Sequence, residues 1–333
     1  MKHRYSISRR RLTLTAATIA ALGAAAVSPA RAQAWPVKPL RLIVNSPPGG
    51  ASDVMARIVG QHLGDALGQT VIIENRAGGG GLIATEMVAK APADGYTMLL
   101  ATPVNTLFPY TIKKLNHDPI KSFDPVTILG QSPLVLVAHP SLQAKSLQEV
   151  IRLAKAKPGS LSYASPGPGS PQHLSMEVIL SHSNAEIVHV PYKGGAQASN
   201  DLVAGQITLG MLGIAPALPH IKSGKLIALA TTGRTRSLSM PEAPTVAESG
   251  VPGFETGQWQ GILLPAGADT AVTNRLFGEL VKVMARPDVQ ERLRATGIED
   301  TRTSESPSAY RAMLVNEIKR WEPAVRRAGI QPE

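Results

Sequence analysis

From Trp35 onward, short apolar runs rich in β-formers alternate with longer stretches whose apolar positions recur at helical spacing. That alternation predicts α/β lobes built on largely parallel sheets, because each strand–helix–strand unit brings the chain back to a sheet in the same direction. Leu40 to Asn45 reads as a buried first strand. The turn Ser46-Pro47-Pro48-Gly49-Gly50 follows, and a helix begins near Ser52 with Val54, Met55, Ile58, Val59, Leu63 and Leu67 on one face. Val71 to Glu74, a glycine turn at Gly78 to Gly81 and a helix to about Lys90 make a second unit, and Tyr96 to Ala101 a third strand.

Val126 to His139 is longer than an ordinary strand and passes through Gly130 and Pro133, as a segment crossing between lobes would. Beyond it, Ser146-Leu147-Gln148-Glu149 is a capping box for a helix containing Val150, Ile151 and Leu153. Strands are expected at Leu161 to Ala164, Ile187 to Val190, Ile207 to Leu212 and Leu226 to Thr231, with helices between them. Trp259 to Leu264 reads as a return strand. Two helical faces close the chain: Val272, Leu276, Leu280 and Val283, then Tyr310, Met313, Leu314, Glu317, Ile318, Trp321 and Val325, stopped by Gly329. There is no internal repeat or low-complexity linker. The expected organisation is one lobe from residues 33–134 and 258–333 and a second from 135–257, joined by strands.

The first 32 residues read as an address and not as part of a lobe. Lys2, Arg4 and Arg9 to Arg11 precede an apolar stretch from about Leu12 to Val27, and Ala30-Arg31-Ala32 supplies small residues before Gln33. That is the layout of a bacterial export signal cleaved near Ala32/Gln33. Ser8-Arg9-Arg10-Arg11-Leu12 resembles a twin-arginine signal, although Sec signals also carry clustered arginines. Six of the 34 Lys and Arg lie in this segment with no acid, leaving 28 basic against 24 acidic residues and a net charge of +4. With 4% aromatics, so modest an excess does not read as a nucleic-acid surface; at most it favours anionic ligands. Cysteine is absent, which excludes a disulfide framework and thiol chemistry.

Two glycine-containing strand-to-helix turns are the strongest local signals: Pro48-Gly49-Gly50-Ala51-Ser52-Asp53, and Ser165-Pro166-Gly167-Pro168-Gly169-Ser170-Pro171-Gln172-His173. Each is expected to turn free backbone N–H groups and a helix dipole toward the strand ends, where open parallel sheets bind ligands. The same residues also read as tight turns, with Ser52, Asp53 and Ser170 as N-caps. Gly79-Gly80-Gly81-Leu82-Ile83-Ala84 fits a dinucleotide fingerprint, but Leu99 to Asn105 holds no acid for a ribose. No nucleophile elbow, zinc-protease motif or Walker sequence is present, so no catalytic residue, metal or cofactor is expected. His173 attracts interest through its turn and His189 through its strand. Pro191-Tyr192-Lys193-Gly194-Gly195 is a third loop, in which Tyr192 could stack on a ligand and Lys193 attract an anion, or which is an ordinary surface turn.

Several separated segments together resemble the receptor family of tripartite tricarboxylate transporters, the Bug-type periplasmic receptors. They are Trp35 to Arg41, Gly49 to Arg57, Leu67 to Arg76, Ala93 to Thr97, Tyr163 to Ser165, His189 to Gly194, Pro244 to Glu248 and Glu317 to Trp321. The resemblance implies a two-lobed type II periplasmic-binding-protein fold that closes on a small organic carboxylate, held by loop amides and ordered waters. It places one anchor on Gly49, Gly50, Ser52 and Asp53, and another on Ser165, Gly167, Gly169, Ser170 and His173; Thr102, Asn105, Tyr192 and Lys193 would meet the rest of the ligand. Ser46 stands where many members carry a bulky aromatic, Pro168 stiffens the second turn, and Thr208 and Gly213 occupy a strand where acids are expected nearby. The implied protein is a periplasmic monomer and not an enzyme, delivering its ligand to membrane subunits of the transporter. A sensor on the same fold, or an α/β hydrolase, are the alternatives.

Overall fold

The computed structural model describes residues 35–49, 51–192 and 194–332; the export segment, Gly50 and Lys193 lie outside the described residues. The first sheet has the order β2-β1-β3-β10-β4, from strands β1 (Leu40–Val44), β2 (Val71–Asn75), β3 (Thr97–Ala101), β4 (Phe123–Ser132) and β10 (Gln258–Pro265). The second repeats the plan as β7-β6-β8-β5-β9, from β5 (Leu134–Ala138), β6 (Ser162–Ser165), β7 (Val188–Pro191), β8 (Leu209–Gly213) and β9 (Ile227–Thr231). In each sheet one strand is antiparallel to both neighbours, β10 in the first and β5 in the second. Both reversed strands are the ones that arrive from the other half of the chain. The expected α/β class with largely parallel sheets is therefore what the chain forms.

Helices cover the sheets: α1 (Ala51–Leu67), α2 (Leu82–Ala89) and α3 (Val104–Thr111) from the first half; α4 (Leu147–Ala156), α5 (Pro171–Ser183), α6 (Gly195–Val203) and α7 (Ile214–Lys222) from the second; then α8 (Thr270–Met284), α9 (Pro287–Ala295) and α10 (Pro307–Arg327). Ser146 caps α4 as the sequence requires: its hydroxyl accepts from Glu149 N–H at 3.2 Å, and Glu149 Oε2 accepts from Lys145 N–H at 2.7 Å. Ser146→Ala should cost about 1 kcal/mol in a denaturant titration and Ser146→Gly only a few tenths, since glycine tolerates the cap backbone. No measurable loss in Ser146→Ala would mean that the hydroxyl is not what holds this end.

The long crossing segment is two strands divided at Pro133, which has no N–H to continue either ladder, so β4 ends in one sheet and β5 begins the other. Two features were not anticipated. Helix α3 lies in a stretch to which no element was assigned, with Pro103 just before it and Pro109 inside it. Helix α9 falls between the two helical faces expected at the end of the chain and is held by two buried apolar residues, Val289 and Leu293.

The two crossings are clasped by Thr232, whose hydroxyl accepts from Leu134 N–H at 2.8 Å and donates to Thr256 O at 2.7 Å. A third connection comes from α10. Near its start Arg311 binds Asp124 Oδ1 (2.9 Å) and the carbonyls of Ile120 and Phe123; near its end Arg327 donates to Ala185 O (3.1 Å) and sits 3.4 Å from Glu177 Oε2. Between these points Trp321, Ala324 and Val325 pack with Leu107 of α3 and Leu174 of α5. The helix is thus fastened to elements flanking both sheets.

Candidate functional site

Because β10 runs against its neighbours, its first residues lie beside the carboxyl ends of the parallel strands. Asn45 and Ser46 after β1, Thr102 after β3, and Gln258 to Gln260 of β10 wall a cavity of about 210 Å³, with Ser52 and Gly80 at its side and Pro171 from the second half across it. At Gly80 and Val104 it adjoins a larger cavity of about 820 Å³ between α3, the turn Pro166 to Ser170, and residues 328–332. Carboxyl ends of strands from both sheets thus border one cleft, the position where open α/β sheets present ligand sites.

The first turn is braced from behind. Gly49 takes the left-handed conformation (φ 84°) and donates its N–H to Asp53 Oδ2 at 2.9 Å, while Arg57 Nε donates to the same oxygen at 3.0 Å. The guanidinium holds the Asp53 carboxyl below the usual carboxylate range. Asp53 is buried in this brace and does not line the cavity, whereas Ser46 and Ser52 do. Thr102 is fixed by a second network. Its Oγ1 accepts from Asn45 Nδ2 (3.1 Å), its N–H donates to Asn105 Oδ1 (2.9 Å), and Asn105 Nδ2 donates to Thr85 Oγ1 (2.8 Å), which reaches Gly81 O. Asn105 is consumed in tying the glycine turn to the end of β3 and stands behind the wall.

The second turn departs from the expectation of free amides. Gly169 N–H donates to His173 Nδ1 (3.1 Å), Gly167 N–H to Ser165 Oγ (3.2 Å), Ser170 N–H to Gly167 O (3.3 Å), and His173 N–H to the capping Ser170 Oγ (3.2 Å). A nine-residue turn holding three prolines supplies its own acceptors, so these groups give the cleft shape and not open donors. Gly167, Gly169, Ser170 and His173 all line the larger cavity; Ser165 lies fully buried behind it. Tyr192 lines neither cavity, because its hydroxyl is held by Asp201 Oδ2 at 3.0 Å.

His173 and His189 stack face to face with ring centroids 3.8 Å apart, and Tyr163 stacks on His189 at 5.0 Å. Burial, joined at His173 by the neighbouring ring of His189, lowers both imidazoles to about 4, so the pair is neutral around pH 7. The bond from Gly169 requires the proton of His173 on Nε2, which faces Glu177 Oε1 at 3.9 Å. Tyr163 Oη donates to that same oxygen at 2.9 Å. Ser165 Oγ is 2.7 Å from His189 Nε2, a serine–histidine contact that the sequence did not disclose. It lacks what a nucleophile needs: Ser165 is fully buried, and an imidazole lowered to about 4 is a weak base.

Among the described residues, neither cavity is lined by Asp, Glu, Lys or Arg, and no group of three or more His, Asp or Glu is placed to hold a metal ion. No described helix is long and apolar enough to cross a membrane. Gln258, Trp259, Gln260, Val104 and Gly80 were missed as site residues. Gly80 was weighed only as part of a nucleotide motif and Trp259 only as strand; the signals available were the place of Gly80 in the turn between β2 and α2 and that of Trp259 at the start of β10.

The sequence profile described as the tripartite tricarboxylate transporter family receptor matches residues 55–330. Protein BugT of Bordetella pertussis is 36% identical over 322 residues, covering 96% of this chain and 98% of that protein. Among solved structures, R. palustris Rpa4515 with adipate shares 33% identity at a TM-score of 0.76, covering 90% of this chain and all of that one. MatC from Rhodopseudomonas palustris with bound malate shares 29% at 0.70, covering 87% and all respectively. Matched over most of its length by profile, relatives and structures alike, this chain belongs to the tripartite tricarboxylate transporter receptor family.

Proposed function

We propose that the protein captures a small organic carboxylate in the interlobe cleft and presents it to membrane subunits of a tripartite tricarboxylate-type transporter, as an exported periplasmic monomer without catalysis of its own. The lobes are taken as residues 33–134 with 258–333, and 135–257. The observation that carries the reading is the meeting of strand ends from both sheets around one cleft walled by neutral hydrogen-bonding groups. Ser46, Ser52, Thr102, Gln258 and Gln260 can bind an anion through dipoles and bridging waters without a fixed positive charge. Only a closed arrangement lets both lobes touch the ligand, so binding shifts the open–closed equilibrium toward closure. Adipate and malate bound to structural relatives support the ligand class.

The test is a thermal-shift panel on the chain from Gln33, with adipate, malate and other organic acids set against their neutral amides. An acid that binds should stabilise by about 2.7 kcal/mol at a hundredfold excess over Kd, a shift of several degrees that grows with concentration and is absent for the amide. Stabilisation by sugars or nucleotides instead of acids would contradict the reading.

A further inference from the structure

Trp259 is part of the wall of the smaller cavity, and its indole is not free to turn. Nε1 donates to Glu317 Oε2 at 2.6 Å, and both residues are buried. Glu317 stands on α10 where three elements meet: Trp259 from β10, Thr106 from α3, and Tyr310, Arg320 and Trp321 from α10 itself face the carboxyl group. Arg320 is the one charged side chain facing it among the described residues. Its Nη2 lies 3.4 Å from Oε1, while Nη1 donates to Glu255 O at 2.6 Å. One residue on, Tyr110 of α3 donates its hydroxyl to Ile318 O at 2.7 Å. The wall of the small cavity, the wall of the large one and the helix reaching the second lobe are therefore joined around a single carboxyl.

We propose that Glu317 is a positioning residue of the ligand cavity, whose carboxyl group fixes the Trp259 indole in the wall and couples that position to α10. This rests on the cavity being the ligand site as proposed above. An ionised carboxylate takes the indole N–H in a charge-assisted bond, whereas a protonated one bonds more weakly. Burial raises this carboxyl to about 7, so the change of charge falls near neutral pH. Arg320 offsets the negative charge, which leaves the hold on the indole as the main effect. The wall is firm above pH 7 and loosens below it.

The test is intrinsic tryptophan fluorescence with acrylamide quenching between pH 5 and 9, without ligand. The wild type should show one transition near pH 7, with stronger quenching on the acid side; Glu317→Gln should abolish it. The transition should survive in Trp321→Phe and vanish in Trp259→Phe. With adipate as the probe, affinity should fall about threefold from pH 8 to pH 6 in the wild type and stay flat in Glu317→Gln. A featureless wild-type scan, a transition persisting in Glu317→Gln, or a response that follows Trp321 would overturn the proposal. Failure of adipate to bind at any pH would count against the carboxylate reading, leaving the fluorescence scan to decide the role of Glu317.

Discussion

Replacing Trp321 by alanine is expected to destabilise the protein by about 3–5 kcal/mol, because the indole is fully buried and its loss leaves a cavity that the surrounding elements cannot close. The neighbours in question belong to both halves: Leu107 and Tyr110 on α3, Leu174 and Val178 on α5. The thermal midpoint should fall by roughly 6–12 °C, and Trp321→Phe should recover most of that loss. A drop of one or two degrees for the alanine variant would mean that the cluster does not fasten α10 to the lobes.

Gly169→Val should remove the midpoint shift produced by acidic ligands while leaving a folded protein. Gly169 has φ 69°, a conformation strained for a β-branched residue, and an added Cβ would meet Thr111 Cγ2 at 3.2 Å and Ile330 Cδ1 at 3.9 Å. The turn must either flip, losing the bond to His173, or push α3 away from the second lobe; both outcomes spoil closure. Gly224→Val is the matched control. It has φ 72° with nothing within 4 Å of the added Cβ, so it carries the backbone strain without the wedge. Loss of ligand response in both variants would assign the effect to strain alone.

Much of this architecture is legible in the sequence because it is local. The turn after Asn45, the capping box at Ser146 and the helical faces of α1, α8 and α10 declare themselves within a dozen residues. Pro133 was visible too, but its effect was not, since whether a proline interrupts one strand or separates two depends on which sheets lie on either side. The site was legible in part. Ser46, Ser52, Thr102, Gly167, Gly169, Ser170 and His173 come to the cleft, as their places in the turns after strands imply, while Ser165 stays buried behind it. Asp53, Asn105 and Tyr192 do not line it, for one shared reason: each has a polar partner, Arg57, Thr85 and Asp201 respectively, that takes the group which would otherwise face a ligand. Glu317 was read only as a position on a helical face, because Trp259 lies 58 positions away in the chain.

The third connection between the lobes changes what kind of motion they can make. Two crossing strands alone would act as a hinge pin about which the halves swing freely. A helix anchored to both sides, away from that pin, behaves as a strut, and a strut must flex if the angle is to change. Its soft point is Pro323, inside α10 between the Trp321 and Ala324 contacts, which cannot donate to the carbonyl of Lys319. Any change in the angle between the two halves must then pass through the turn of α10 around Pro323, so the helix itself becomes a part that resists or permits the motion.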